Sequence, residues 1–162
     1  MAKQFTVVFF ALSILVAESL LAAPIVPVKP TFSPEGCYTR SDVIEDLVNG
    51  DSDSKVSFIT ITKEKDGYYL KGFLWGTNWH VCDISGEGGQ PLPARLENGA
   101  IVYTEASPKE DINCRLEIQF KNDGIQLRDS NYQCKKWVFA CGVHTSIDGT
   151  TLTRVQDEAL CK

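Results

Sequence analysis

Tight polar turns separate short runs of β-branched and aromatic residues from Lys55 onward, and this pattern constrains the fold more than any other feature of the chain. In the clearest run, 114–120, apolar residues alternate with Arg, Glu and Gln, which is typical of a strand with one buried face. Glycine-containing turns at 66–67, 97–99, 121–124 and 148–149 are typical of β-hairpins. We therefore predict an all-β fold, an antiparallel up-and-down barrel or sandwich of about eight strands.

Further strands are expected at 56–61, 68–75, 79–84, 94–96, 100–105, 125–129, 136–140, 143–147 and 150–155. Longer loops are expected at 85–93 and 107–113. Before the first strand, apolar residues at 43, 44, 47 and 48 have helical spacing, Ser41 is a suitable N-cap, and Asn49-Gly50 is a suitable stop. These residues predict one short N-terminal helix over 41–48.

The N-terminus has the features of a signal peptide. Lys3 precedes an apolar run at 5–17, and small residues follow at 22–23. This run is too short for a transmembrane helix, which needs about 20 apolar residues. We predict a signal peptide at 1–23, a proline-rich tether at 24–30 and a single β-domain at 31–162, in a protein that is periplasmic or secreted.

Six cysteines follow the predicted leader: Cys37, Cys82, Cys114, Cys134, Cys141 and Cys161. An even number of cysteines in an exported chain predicts three disulfides. Their positions favour a local Cys134–Cys141 bridge, a Cys82–Cys114 bridge between strands and a Cys37–Cys161 bridge between the ends of the domain. Many other pairings are possible, and the sequence does not select among them.

The formal net charge of −5 bears on the class of partner. Nucleic-acid-binding proteins usually carry a basic stripe, and this chain lacks a dense basic cluster. We therefore expect neither a nucleic acid nor an anionic membrane as partner. An acidic surface favours encounter with a cationic partner. We expect a protein or cell-envelope partner, for which a cationic enzyme is one candidate.

The sequence contains no motif for nucleophilic catalysis, and its adjacent carboxylates lie in polar loops, so we do not expect an enzyme. Only two histidines are present. His80 is expected on the outer side or rim of a strand. Cys141 and His144 resemble half of a zinc site, but the second pair of ligands is missing, and Cys141 is expected in a disulfide. We therefore predict no metal site and no cofactor.

The candidate binding residues are large aromatics and loop carboxylates. Tyr69, Trp75 and Trp79 belong to an aromatic cluster that would serve either as core or as a recognition surface. Rigid β-scaffolds often carry function on loops, so the carboxylates in the two longer loops are also candidates. These are Glu87, Glu110 and Asp111.

The C-terminal half carries a cysteine pattern that resembles a known group of proteins. The pattern consists of Cys82, the run 114–120, Cys134, Cys141-Gly142, the turn 148–150 and Arg154. It is similar to small exported bacterial β-proteins that are grouped with periplasmic lysozyme inhibitors. The resemblance implies an exported, disulfide-stapled β-fold and the inhibition of a lysozyme-like enzyme, and no inhibitory residue is carried over from that group.

Three functions follow as hypotheses. The first is a secreted or periplasmic binding module, with inhibition of a lysozyme-like cell-wall hydrolase as its sharpest version. The second is a β-barrel that carries a small apolar ligand, and the third is a hydrolase without a recognisable motif. An enclosed, aromatic-lined cavity would favour the carrier, whereas a filled interior with ordered protruding loops would favour the binding module.

Overall fold

Nine antiparallel β-strands form most of the computed structural model, which describes residues 33–139 and 141–162. The strands are β1 (Gly36–Glu45), β2 (Ser52–Glu64), β3 (Gly67–Trp75), β4 (Val81–Ile84), β5 (Leu92–Glu97), β6 (Ala100–Ser107), β7 (Ile112–Phe120), β8 (Gly124–Arg128) and β9 (Thr151–Val155). The described helical elements are short: 3₁₀ turns at Thr77–Trp79, Glu87–Gly89 and Glu158–Cys161, and a π-helical turn at Cys134–Val138.

The strands close into a barrel. β1 pairs with both β2 and β9, and β2 pairs with β3, so every described strand except β4 belongs to one closed antiparallel ring. β4 is an extra strand that pairs with residues 72–75 of β3, while β5 pairs with residues 68–70 along the same edge of β3. The predicted all-β up-and-down barrel is confirmed.

The barrel interior is filled by side chains. Inward-facing residues from every strand of the ring form one cluster with almost no accessible surface. A cavity that could hold a ligand would give the side chains that line it a measurable accessible surface, so these residues do not enclose one. Gly72 lets β2 and β3 approach closely, because a Cβ there would lie 2.2 Å from Ile59 Cδ1. The described barrel therefore has a packed core. Its largest fully buried residues include Tyr38, Ile59, Ile61, Leu70, Leu74, Ile101, Leu116, Ile118, Ile125 and Leu127.

Three disulfides join Cys37 to Cys161, Cys82 to Cys141 and Cys114 to Cys134. The expected bridge between the two ends of the domain is confirmed, whereas the expected Cys134–Cys141 and Cys82–Cys114 bridges are wrong. The reason is the connection between β8 and β9, residues 129–150, which we call the cap segment. It contributes Cys134, Phe139 and Ile147 to the buried cluster, so its cysteines meet β4 and β7 and not each other.

The strands expected at 136–140 and 143–147 are also wrong, because Cys134–Val138 form the π-helical turn and no described residue of 139–147 lies in a strand; Ala140 is outside the described residues. The buried Asp129 carboxylate accepts hydrogen bonds from the backbone N–H groups of Cys134 (3.3 Å) and Lys135 (2.8 Å) at the start of the π-helical turn. Capping by Asp129 and two covalent bridges fix this segment locally, and they override the β-propensity of its residues.

The helix expected over 41–48 is wrong, since residues 36–45 form β1 and the chain turns at 46–49. Pairing with β2 along the whole length of β1 satisfies its backbone. Ile44 is buried while Val43, Leu47 and Val48 remain exposed, so the four apolar residues do not form the buried stripe of a helix. The spacing is helical, but the burial follows the strand period of two.

The predicted signal peptide, the tether and residues 31–32 lie outside the described residues. In the part of the chain that is described, no helix has the length and apolar character needed to cross a bilayer. The three disulfides fit a protein that folds in an oxidising compartment.

Candidate functional site

The upper end of the barrel, where β1, β3, β6 and β8 all terminate, carries the most exposed apolar side chains of the described strands and turns. The β1–β2 hairpin projects here, and we call residues 43–53 the hairpin tip. Val43 is 69% exposed, Leu47 64% and Val48 84%. Large apolar side chains on a projecting turn are typical of contact with a partner.

Asp46 organises the hairpin tip. Its carboxylate accepts hydrogen bonds from the backbone N–H of Val48 (2.8 Å) and of Asn49 (3.2 Å), and from the Asn49 side chain (3.2 Å). The backbone N–H of Gly50 donates to the Asp46 carbonyl at 2.9 Å, and the positive φ of 75° at Gly50 suits glycine. The turn therefore presents Leu47 and Val48 in a fixed conformation.

Ser57 connects the base of this hairpin to the neighbouring strand. Its fully buried hydroxyl donates to the Asp42 carboxylate and accepts a hydrogen bond of 2.9 Å from the Trp75 backbone N–H. Arg40 Nε donates to the same carboxylate at 2.7 Å. This chain of contacts joins β1, β2 and β3 and positions Trp75 beside the hairpin.

Trp75 and Trp79 lie together around Lys55. The two indole rings meet edge to face with their centres 6.5 Å apart, and Lys55 Nζ lies 5.7 Å from the Trp75 ring centre and 5.4 Å from that of Trp79. Trp79 is 37% exposed, and its side chain contributes to the lowered pKa of the Asp46 carboxyl. Trp79 is therefore both a support of the hairpin tip and part of the accessible surface.

The hairpin carries a concentration of negative charge. Residues 42–53 contain no Lys or Arg, and of the five acids there two are paired with flanking cations: Asp42 with Arg40 at 2.7 Å and Asp53 with Lys55 at 2.6 Å. The other three form no ion pair within the described residues. They are Glu45, Asp46 and Asp51. The hairpin tip therefore presents exposed apolar side chains that are surrounded by carboxylates.

Acidification is expected to loosen the hairpin tip before the barrel unfolds. The backbone N–H groups of Val48 and Asn49, followed by the Trp79 side chain, hold the pKa of the Asp46 carboxyl below its ordinary value. Because this pKa is lower in the folded state, the stabilisation is present at neutral pH and is lost as the pH falls through the lowered pKa. Trp79 fluorescence should therefore change below about pH 4, while the far-UV circular dichroism of the barrel persists.

The variant Asp46→Asn provides the control for this pH dependence. It keeps a side-chain oxygen for the turn but cannot titrate, so the acid step should disappear. An unchanged step in Asp46→Asn would assign the step to another carboxyl, for which Asp53 is the first candidate because the Lys55 side chain and the Ser54 backbone N–H lower its pKa.

The structure unites some of the predicted binding residues and separates others. Trp75 and Trp79 come together, and the turn with Glu110 and Asp111 lies at the same upper end, between β6 and β7. Tyr69 lies nearer the opposite end, where its hydroxyl donates to the Asp66 carboxylate at 2.9 Å. Glu87 is exposed in the connection between β4 and β5. The six residues do not form one site.

The hairpin tip was missed by the sequence interpretation because its apolar residues were assigned to a helix. One signal in the sequence could have identified it. Asp46 is followed by Asn49-Gly50, and an aspartate that caps the N–H groups of the next residues before a glycine is typical of a tight turn. The chain matches no protein-family model, no curated protein and no solved structure, so the contacts at the upper end are the basis for its functional interpretation.

Proposed function

We propose that this chain is an exported binding module that holds a cationic protein at the hairpin tip, and that the partner is a lysozyme-like cell-wall hydrolase which it inhibits. The observation that carries this proposal is the apex itself. Leu47 and Val48 are exposed on a turn that is fixed by Asp46, and acids without ion-pair partners among the described residues surround them. A fixed apolar apex loses little conformational entropy on binding.

The charge of the tip supports a cationic partner. Carboxylates at an interface steer an oppositely charged protein and raise the association rate, and salt weakens this effect. An active-site cleft of a cationic hydrolase could receive a projecting hairpin of this kind. We therefore expect the association rate to fall as ionic strength rises, with a smaller change in the dissociation rate.

The filled interior supports a surface-binding module over a carrier of apolar ligands. Interior residues such as Leu74, Ile101 and Leu116 have no accessible surface. The grooves on the described surface are open to solvent, including one of about 370 Å³ between β1, β2 and the C-terminal 3₁₀ turn. As part of the same proposal, the protein acts by binding and not by catalysis.

The proposal is tested by measuring binding and lytic activity against a panel of purified lysozymes, with acidic proteins of similar size as negative controls. The variant Leu47→Ser/Val48→Ser should weaken binding by about tenfold or more, because it removes apolar contact area at the centre of the interface. Glu45→Gln/Asp51→Asn should mainly lower the association rate.

The matched control is Glu110→Gln/Asp111→Asn, which removes two carboxylates from the β6–β7 turn at the same upper end. Its binding should equal that of the wild type. Loss of binding in this control, with unchanged binding in Leu47→Ser/Val48→Ser, would move the site away from the hairpin tip. If no lysozyme is bound or inhibited, the proposed partner class is wrong.

A further inference from the structure

The fold brings together the only two histidines of the chain, which are far apart in sequence. The ring centres of His80 and His144 lie 4.9 Å apart, with an angle of 73° between the ring planes. The Cys82–Cys141 disulfide joins the two segments close to both histidines. One covalent bond therefore holds together the two segments that carry the imidazoles.

Backbone packing further restrains the pair. A Cβ on Gly142 would lie 2.1 Å from His80 Nδ1, so this nitrogen rests against the Gly142 backbone, and Nε2 is the nitrogen left for a ligand. The Gly142 N–H donates to the Val81 carbonyl at 3.3 Å. Gly76 packs closely against His144, since a Cβ at Gly76 would lie 2.3 Å from the His144 carbonyl oxygen. Backbone contacts therefore restrain the His80 ring and the main chain at His144, and the exposed His144 ring faces His80.

We propose that His80 and His144 together bind one divalent transition-metal ion, with Cu²⁺ preferred over Zn²⁺. An ion bound to an imidazole nitrogen at about 2.0 Å lies roughly 3.2 Å from the ring centre. Two such rings at 90° to 110° around one ion have centres about 4.5 to 5.2 Å apart. The observed 4.9 Å lies within this interval.

The donor set determines which ion is favoured. Imidazole nitrogens suit copper, zinc and nickel, and Cu²⁺ binds most tightly among the divalent ions of the first transition row. Within the described residues, no cluster of three or more His, Cys, Asp and Glu side chains could hold a metal, so water would fill the remaining positions. Lys135 Nζ lies 3.5 Å from the Val143 carbonyl oxygen and adds positive charge beside the pair, which disfavours weakly bound ions. Mg²⁺ and Ca²⁺ should not bind here, because they prefer oxygen ligands.

The site is tested on the full mature protein with its disulfides intact. Cu²⁺ is titrated while affinity is measured by calorimetry, and electron paramagnetic resonance with pulsed detection counts the imidazoles bound to the ion. The wild type should bind one Cu²⁺ through two imidazoles. His80→Gln and His144→Gln should each retain one imidazole and lose affinity by at least tenfold, because even the loss of an outer hydrogen-bond partner costs about 10- to 100-fold at metal sites.

Unchanged Cu²⁺ affinity in both single variants would overturn the proposal, as would a wild-type spectrum with one imidazole or none. Circular dichroism and thiol titration establish that each variant is folded and fully bridged. The double variant His80→Gln/His144→Gln distinguishes Cu²⁺ bound by the two histidines from Cu²⁺ bound at the chain terminus. It keeps any terminal site but loses the imidazole signal. The outcome does not depend on lysozyme binding, so this proposal and the proposed function are tested separately.

Discussion

Replacement of both Cys37 and Cys161 with alanine is expected to lower the free energy of unfolding by about 5 kcal/mol, the larger of two stability effects predicted here. The bond joins residues 124 positions apart, so it encloses almost the entire described domain. A cross-link that closes a long loop removes more conformational freedom from the unfolded chain than one that closes a short loop. The measurement is urea unfolding at neutral pH, followed by tryptophan fluorescence and circular dichroism.

The folded barrel should remain closed in this variant. β1 keeps its pairing with β2 and β9, and Cys161 lies in the C-terminal 3₁₀ turn, outside the strands of the ring. The control is Asp157→Ala, which removes the side-chain acceptor for the Ala159 N–H (2.9 Å) and should cost about 1 kcal/mol. If the variant without the Cys37–Cys161 bond has a free energy of unfolding equal to or higher than that of Asp157→Ala, the loop-closure argument is contradicted.

The barrel could be predicted because its signals are local. The run 114–120 alternates in polarity and lies within β7, and the predicted turn at 97–99 includes the two residues that join β5 to β6. Turn glycines and the period-two pattern depend on neighbouring residues only, so they can be interpreted without knowledge of the rest of the fold.

β1 and the disulfide pairing could not be predicted because they depend on contacts between distant segments. Residues 43 to 48 fit a helix in isolation, but the ten-residue pairing of β1 with β2 places 43–45 in a strand and 46–48 in the turn that follows it. Cys134 and Cys141 are close in sequence, but the cap segment directs them to different strands. His80 and His144 meet for the same reason, and no sequence spacing reports their proximity.

The site was only partly predictable for a related reason. The sequence identifies Trp75 and Trp79 as unusual, but their contact with Lys55 and Asp46 depends on how the hairpin packs against the 3₁₀ turn at Thr77–Trp79. A recognition surface is defined by which side chains remain exposed after packing. Nothing in the local sequence distinguishes Val48 from a core valine, and its exposure is known only from the completed fold.

The second large effect is expected at Ser57, where Ser57→Ala should lower the free energy of unfolding by about 3 kcal/mol. The substitution removes the hydroxyl that donates to the Asp42 carboxylate and leaves the Trp75 backbone N–H without its acceptor. A hydrogen bond to a charged group contributes about 1.5 to 3 kcal/mol, and a buried polar group left unpaired adds a further penalty. The measurement is urea unfolding, with Ser54→Ala, an exposed serine of the same strand, as a control that should change stability by about 0.5 kcal/mol or less.

Two further measurements separate this network from a simple packing defect. Asp42→Ala/Ser57→Ala should destabilise by less than the sum of the single variants, because both remove the same hydrogen bond, and additive effects would contradict the network. Ser57→Ala should also weaken the proposed binding to a lysozyme-like partner under conditions in which it remains folded, since the hydroxyl connects the base of the hairpin to Trp75. If Ser57→Ala is destabilised but binds as tightly as the wild type, the hairpin tip does not depend on this support, and the contacts of Asp46 alone are sufficient to hold it in its binding conformation.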